Sequence, residues 1–336
     1  MRVDVAGAGV LGLACALVLA RAGVRVRVFD PAPAGQNASG VAAGMLAPAS
    51  EALTDPAAAP HLALLSAARD AWPAFAQTFG LDLDRSGAVL VGDEARLEGL
   101  SRQAATLGLA LQPLGRADLP PLPGGISARM GGGFLTLDDW RIEAQASILS
   151  MASRARDLGV TFVAEPLPPS DADALVLAGG LSEGLTGQAP ELAGLRPIRG
   201  HILVCESPAY GGPVIRGAGA YAAPAGAGLL IGATMEPGEA TAEVSPAVAA
   251  ALAAQAEQSF PGIGVWPWTA QAGVRAAAPD GLPLVGRSVS GAFICAGARR
   301  NGWLIAPLAA QLIADLVLDR APGSWARALD PRRFAA

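Results

Sequence analysis

The sequence predicts an α/β fold in which one domain of alternating strands and helices is interrupted by a second domain richer in strands. Three observations predict it. The first thirty residues read strand, glycine turn, helix, strand. Alternation returns near the C-terminus, with a strand at 292–296 and a helix at 304–319, while the middle of the chain is β-richer. The 336 residues are 52% hydrophobic, enough for one large domain or two interleaved ones with ample core.

The elements follow in order. Residues 2–6 are short and β-leaning, 13–22 are Ala/Leu-rich and helical, and 24–29 alternate in polarity and end at Asp30. Residues 32–49 form a small-residue loop. Helical periodicity runs over 62–79, a strand over 87–91 and a polar helix over 94–107. The Pro/Gly-rich 114–125 reads as a surface excursion. A long helix over 139–158 stops at Gly159, and 160–163 reads as a buried strand. Residues 174–177 form a parallel-type strand that runs into Gly179 and Gly180. Strands at 201–206 and 228–233 and a helix at 246–260 complete the middle. Pro307 is tolerated in the last helix if it sits in the first turn. Residues 1–78, 136–190 and 272–336 are assigned to the first domain, and 79–135 and 191–271 to the second.

Composition excludes several functions. All 24 basic residues are arginine, against 29 acidic ones, for a net charge of −5. The missing lysine rules out a Schiff base and a P-loop. Scattered arginine on a negative chain argues against nucleic-acid binding. Cys15, Cys205 and Cys295 are far apart, with no CxxC or HExxH spacing, so they read as reduced buried thiols and no metal site is expected. The uncharged run 5–20 is broken by Gly7, Gly9 and Gly12 and followed by a strand. It reads as folded protein, so no membrane span is expected and the localisation is expected to be cytoplasmic.

Gly7-Ala8-Gly9-Val10-Leu11-Gly12 is a GxGxxG turn between a strand and a helix. Gly7 permits the tight turn, Gly9 the approach of a pyrophosphate, and Gly12 close packing of helix and strand. The helix N-terminus faces the phosphates. Asp30, at the end of the second strand, is placed to take a ribose hydroxyl, which favours NAD or FAD over NADP.

Three further segments are distinctive: Ala38 to Pro48, Gly273 to Gly286, and Ala296 to Pro307. Together they make the chain resemble the FAD-dependent amine oxidases of the D-amino-acid oxidase group, nearest to its glycine oxidases of thiamine biosynthesis. The likeness runs from Arg2 to about Leu318. It implies an FAD-binding Rossmann-type (glutathione-reductase-like) domain interleaved with an α+β substrate domain built on an antiparallel sheet. It also implies non-covalent FAD. The pyrophosphate turn falls on Val10 and Leu11, the ribose acid on Asp30 beside Pro31. Ala38, Ser39, Ala43, Gly44 and Met45 border the pyrophosphate and flavin. Leu167 contacts the adenine side, Gly179 ends the neighbouring strand, and Gly297, Ala298, Arg299, Arg300, Asn301, Gly302, Trp303 and Leu304 wrap the ring. Gly302 opens a helix whose positive end suits an anionic reduced flavin.

For the substrate, the resemblance puts the carboxylate anchor on Arg275, whose planar fork suits bidentate binding. Arg300 is the second arginine, Tyr221 helps hold the carboxylate, and Met235 lines the pocket. His201 reads as structural. Arg299 stands where an aromatic residue is usual and reads as solvent-facing. Ala298 replaces a histidine, and 164–173 is shorter than in relatives. The absent lysine counts against sarcosine oxidase. The implied reaction is oxidation of glycine or a small D- or N-methyl amino acid to a 2-oxo acid, ammonia or amine, and hydrogen peroxide. Molecular oxygen is the co-substrate and no side-chain base is required. The alternative is a D-amino acid dehydrogenase with another electron acceptor. Self-association as a homo-oligomer is left open.

Overall fold

Strand Arg2–Ala6 lies inside a six-stranded sheet of a computed structural model that describes residues 1–181, 183–226 and 228–334. The strand order is Leu284–Arg287, Phe293–Ala296, Ala174–Leu177, Arg2–Ala6, Arg25–Phe29, Thr161–Val163. The first pair is antiparallel and the other neighbours are parallel. Central strands are buried on both faces: Val3, Val5 and Ala6 are apolar, and the buried Asp4 between them is paired with Arg27. Thr161–Val163 is an edge strand with Thr161 exposed, which corrects its reading as buried.

Helix Val10–Arg21 is apolar almost all round because it is sandwiched. It packs on the sheet, on helix Gly302–Val317 and on helix Ala144–Asp157. The predicted helix over 139–158 is shorter at its start. Trp140–Arg141 pairs as a strand with Met45–Leu46, and Glu143 is the N-cap, accepting from the Ala146 N–H at 2.5 Å. The carboxylate of Asp139 instead holds the N-terminus of helix Pro48–Thr54 through the Ala49 and Ser50 amides. The predicted helix over 62–79 is split into Leu62–Asp70 and Trp72–Phe79, because Pro73 opens the second piece.

Pro307 falls at the sixth position of its helix, beyond the first turn. Its missing N–H would have bonded the Trp303 carbonyl. That carbonyl accepts instead from the Trp72 indole N–H at 3.1 Å, and Trp72 is fully buried.

The second sheet runs Glu236–Pro237, Arg196–Cys205, Gly228–Gly232, Tyr221–Ala225, Val214–Arg216, Ala88–Gly92, Gly132–Thr136, Gln112–Gly115. Trp268–Ala277 pairs along all ten residues of Arg196–Cys205. The sheet is antiparallel except where Val214–Arg216 runs beside Ala88–Gly92. Trp268–Ala277 then leads the chain back toward the first sheet. Residues 164–173 cross between strands without helix or strand, tethered where Ser170 and the Arg27 fork bond the buried Asp4.

Candidate active site

Gly7 adopts φ +104°, a conformation that L side chains resist, and a Cβ there would meet the Ala178 carbonyl oxygen at 2.5 Å. A Cβ on Gly12 would lie 2.0 Å from the Gly7 oxygen, so helix and turn touch directly. The turn is braced from the second strand. The Asp30 carboxylate accepts the Ala8 N–H at 2.6 Å and the Ala32 N–H at 2.9 Å. Ser39 Oγ accepts the Val10 N–H at 3.0 Å, and the Trp303 indole N–H donates to the Ser39 carbonyl at 2.9 Å.

These contacts frame a cavity of about 250 Å³. The N-termini of Val10–Arg21 and Gly302–Val317 both face it. Neither has a side-chain cap or an acidic residue in its first turn. Two positive helix ends in one glycine-lined cleft suit a diphosphate and an electron-rich ring. The cavity's walls include Gly7, Gly9, Val10, Leu11, Asp30, Ala38 and Ser39 from the N-terminal part. Gly179, Gly297, Ala298, Arg299, Arg300, Gly302 and Trp303 complete it.

A second cavity of about 370 Å³ shares Ala38, Arg275, Arg300 and Trp303 with the first. Ala43, Gly44, Met45 and Asn301 line this second space and not the first. Gly12 and Leu304 are buried and line neither cavity, Pro31 is exposed, and Leu167 packs against the cluster around Leu177 and Leu284.

Arg275 stands on the wall common to both cavities. Its strand pairs with Arg196–Cys205, and the guanidinium lies over Gly200, where a Cβ would come within 2.1 Å of Nη1. Gly232 makes the same room for Tyr221, whose hydroxyl would lie 2.3 Å from a Cβ. Arg275 Nη1 donates to the Thr234 carbonyl at 3.3 Å and approaches the Met235 sulfur at 3.7 Å. Among the described residues no carboxylate lies within ion-pair distance of it. Burial holds its pKa below that of a free arginine. Burial also pushes the Tyr221 hydroxyl up, against the opposing pull of Arg275, Arg216 and Arg300.

Behind Arg275, Thr234 Oγ1 donates to Glu236 at 2.6 Å and accepts the His201 N–H at 2.8 Å. His201 Nδ1 lies 2.8 Å from Glu236, and Nε2 accepts the Ser245 N–H at 2.9 Å. Those partners assign the ring proton to Nδ1 and make the buried His201 a structural brace. Burial would raise the Glu236 carboxyl, but bonds from Thr234, Arg199 and His201 outweigh it and hold the group below its ordinary value.

Arg300 is committed elsewhere. Its Nη2 donates to Glu51 at 2.7 Å and its Nη1 lies 3.4 Å from Asp55. Arg299, expected to face solvent, is paired with Asp55 and has φ +52°. Burial raises Asp55, but the bonds from Arg299 and the Ala57 amide hold it below the usual carboxylate range. Glu51, Asp55 and Arg216 escape sequence reasoning. The acids lie more than 240 residues from their arginines, and no local motif joins them.

The match to known families agrees with this geometry. Residues 2–316 match the family model described as "FAD dependent oxidoreductase". The chain belongs to that family. The chain is 30% identical to a glycine oxidase of Geobacillus kaustophilus, over 97% of both chains. It is 28% identical, over 95% of this chain and 97% of the other, to a Rhizobium etli protein assigned by name to thiamine biosynthesis as the oxidoreductase ThiO. The crystal structure of the Geobacillus kaustophilus glycine oxidase superposes with a TM-score of 0.85 at 26% identity, covering 99% of each chain. The protein is therefore an FAD-dependent oxidoreductase, and the glycine-lined cleft fits that cofactor. Among the described residues no helix is long and apolar enough to cross a membrane.

Proposed function

We propose that the protein oxidises glycine or another small D- or N-methyl amino acid to the 2-oxo acid, releasing ammonia or amine and hydrogen peroxide. The observation that carries this reading is Arg275, a guanidinium without a carboxylate partner among the described residues, on the wall shared by the cofactor cleft and its neighbouring cavity. Bound FAD supplies the two-electron acceptor, and the chain supplies binding and orientation.

Arg275 takes the substrate carboxylate through its fork, with the Tyr221 hydroxyl, held neutral by burial, donating beside it. Glu51 lines the same cavity and its buried Oε2 has no hydrogen-bond partner among the described residues, so Glu51 is the acceptor assigned to the substrate amine. Met235 limits the space beside the anchor. In this reading residues 1–78, 136–190 and 272–336 hold the cofactor and 79–135 and 191–271 the substrate. Oxygen is the acceptor and thiamine biosynthesis the setting, a reading that the names of the relatives support, with the cytoplasm as the expected location.

The purified holoenzyme is to be assayed under air for peroxide with glycine, sarcosine and D-alanine, and without oxygen for reduction of an acceptor dye. Peroxide from at least one substrate is the expected result. Dye reduction without peroxide would replace oxygen as the acceptor, and the absence of both would overturn the proposal.

A further inference from the structure

We propose that Arg216 binds a second anionic group of the substrate, so that the cavity takes amino acids carrying two carboxylates. The inference rests on the preceding reading for the reaction and goes beyond it in substrate class. Arg216 is 7% exposed and lines the larger cavity but not the cofactor cleft. Its Nη2 reaches the Met45 sulfur at 3.0 Å. Its Nη1 forms an ion pair with Glu51 at 3.6 Å but no hydrogen bond, and its buried Nε has no partner among the described residues. A guanidinium has five N–H donors, and here one weak sulfur acceptor stands within hydrogen-bond distance.

The neighbouring acids are shared with other groups, and Glu51 pairs with Arg216 without a hydrogen bond. Glu51 Oε1 is held by Arg300 at 2.7 Å, and Asp139 bonds the amides of Ala49 and Ser50. Arg96 lines the same cavity and adds positive charge. It donates to the carbonyls of Val91 and Gly217, at 3.1 Å and 3.2 Å, and pairs with no carboxylate among the described residues. Its near acid, Asp93, is exposed and caps the helix through the Arg96 backbone N–H. Buried donors without acceptors are costly, and a carboxylate is the ligand whose two oxygens match the arginine fork.

Arg275 and Arg216 call for separate carboxylates, because their strands lie four steps apart across the sheet. At about 4.8 Å per step this is about 19 Å between backbones, spanned from both ends by long side chains. Tyr221 lies between them and feels both charges. The cavity of about 370 Å³, part of which bound flavin would fill beside Gly44, Met45 and Asn301, falls within the range of about 300–1,000 Å³ typical of ligand sites. The second carboxylate can be borne on the Cα side chain or on the amine nitrogen. The chemistry at Arg216 is the same.

The test compares kcat/KM for D-aspartate with D-asparagine, and for iminodiacetate with its monoamide. Each pair has nearly the same shape and differs in charge. The holoenzyme should prefer the acid in at least one pair by roughly 10- to 150-fold, and the responding pair identifies where the second carboxylate sits. Arg216→Gln should erase most of that preference, and Arg216→Lys should keep part of it. In a titration read on the flavin spectrum, succinate should bind more tightly than its monoamide, and Arg216→Gln should remove the difference. Glycine oxidation with no preference for either acid would overturn the proposal, as would a preference that survives Arg216→Gln. If no amino acid is oxidised, the reading of the reaction fails, and the succinate titration decides Arg216 by itself. If neither variant folds, the acid-over-amide preference of the parent decides it.

Discussion

Arg275 shows how a single residue acquires a role from what surrounds it. The chain has 24 arginines, and most of those near the cofactor cleft are neutralised: Arg299 and Arg300 by Asp55 and Glu51. Arg275 is held by a backbone carbonyl and a sulfur, which orient it without cancelling its charge. Arg275→Ala should therefore lower kcat/KM for glycine by roughly 30- to several-thousand-fold while the flavin spectrum stays near normal. Arg275→Lys should restore part of the loss, since it returns the charge without the fork. Wild-type turnover in Arg275→Ala would remove the anchor. At Asp30 the carboxylate braces the glycine turn through Ala8 as well as standing at the cleft. Asp30→Ala should weaken FAD retention, read as the absorbance ratio of protein to flavin after gel filtration, and unchanged retention would place the ribose elsewhere.

At the scale of elements, the helix Gly302–Val317 shows a local rule broken and repaired by a distant residue. A proline at its sixth position frees the Trp303 carbonyl, and the indole of Trp72, on another helix, satisfies it. Trp72→Phe should cost about 1–3 kcal/mol from the orphaned acceptor in addition to its packing loss. Pro307→Ala returns the backbone N–H, so the same Trp72→Phe change should cost less in that background. Urea unfolding of the four proteins measures the coupling, and strictly additive costs would show that the indole bond is not what compensates the proline.

At the scale of the whole molecule, ion pairs join elements far apart in the chain. Asp4 holds Arg27 between neighbouring strands, Asp55 joins Arg299, Glu236 joins Arg199, and Asp280 joins Arg333 near the C-terminus. In each acid burial works to raise the pKa, but the partner bonds outweigh it and hold the group below its ordinary value. A carboxyl with a depressed folded pKa contributes stability above its unfolded pKa and loses it as pH falls through the folded one. Asp139 runs the other way: burial raises it, so its contribution weakens as pH rises through its folded value. With Asp171 and Asp330 also held low, six depressed carboxyls against one raised among the described residues predict that the urea midpoint is steady near neutrality and falls below about pH 4. A midpoint unchanged down to pH 3 would show that these pairs do not contribute.

The sequence by itself determined the parts whose physics is local. A glycine turn between a strand and a helix needs its residues adjacent in the chain, and Gly7, Gly9, Gly12 and Asp30 stand where that spacing puts them. The helix Glu94–Leu107 and the parallel strand Ala174–Leu177 likewise follow from periodicity and apolar runs. Tertiary structure alone decided which arginines are free. Glu51 sits on helix Pro48–Thr54 and Asp55 caps its end, and the loop-like composition of 32–49 gives no reason to aim them at residues 299 and 300. The strand Val214–Arg216 carries Arg216 into a cavity whose other walls come from residues far along the chain. Charge pairing depends on distances across the folded chain, which neither spacing nor periodicity encodes.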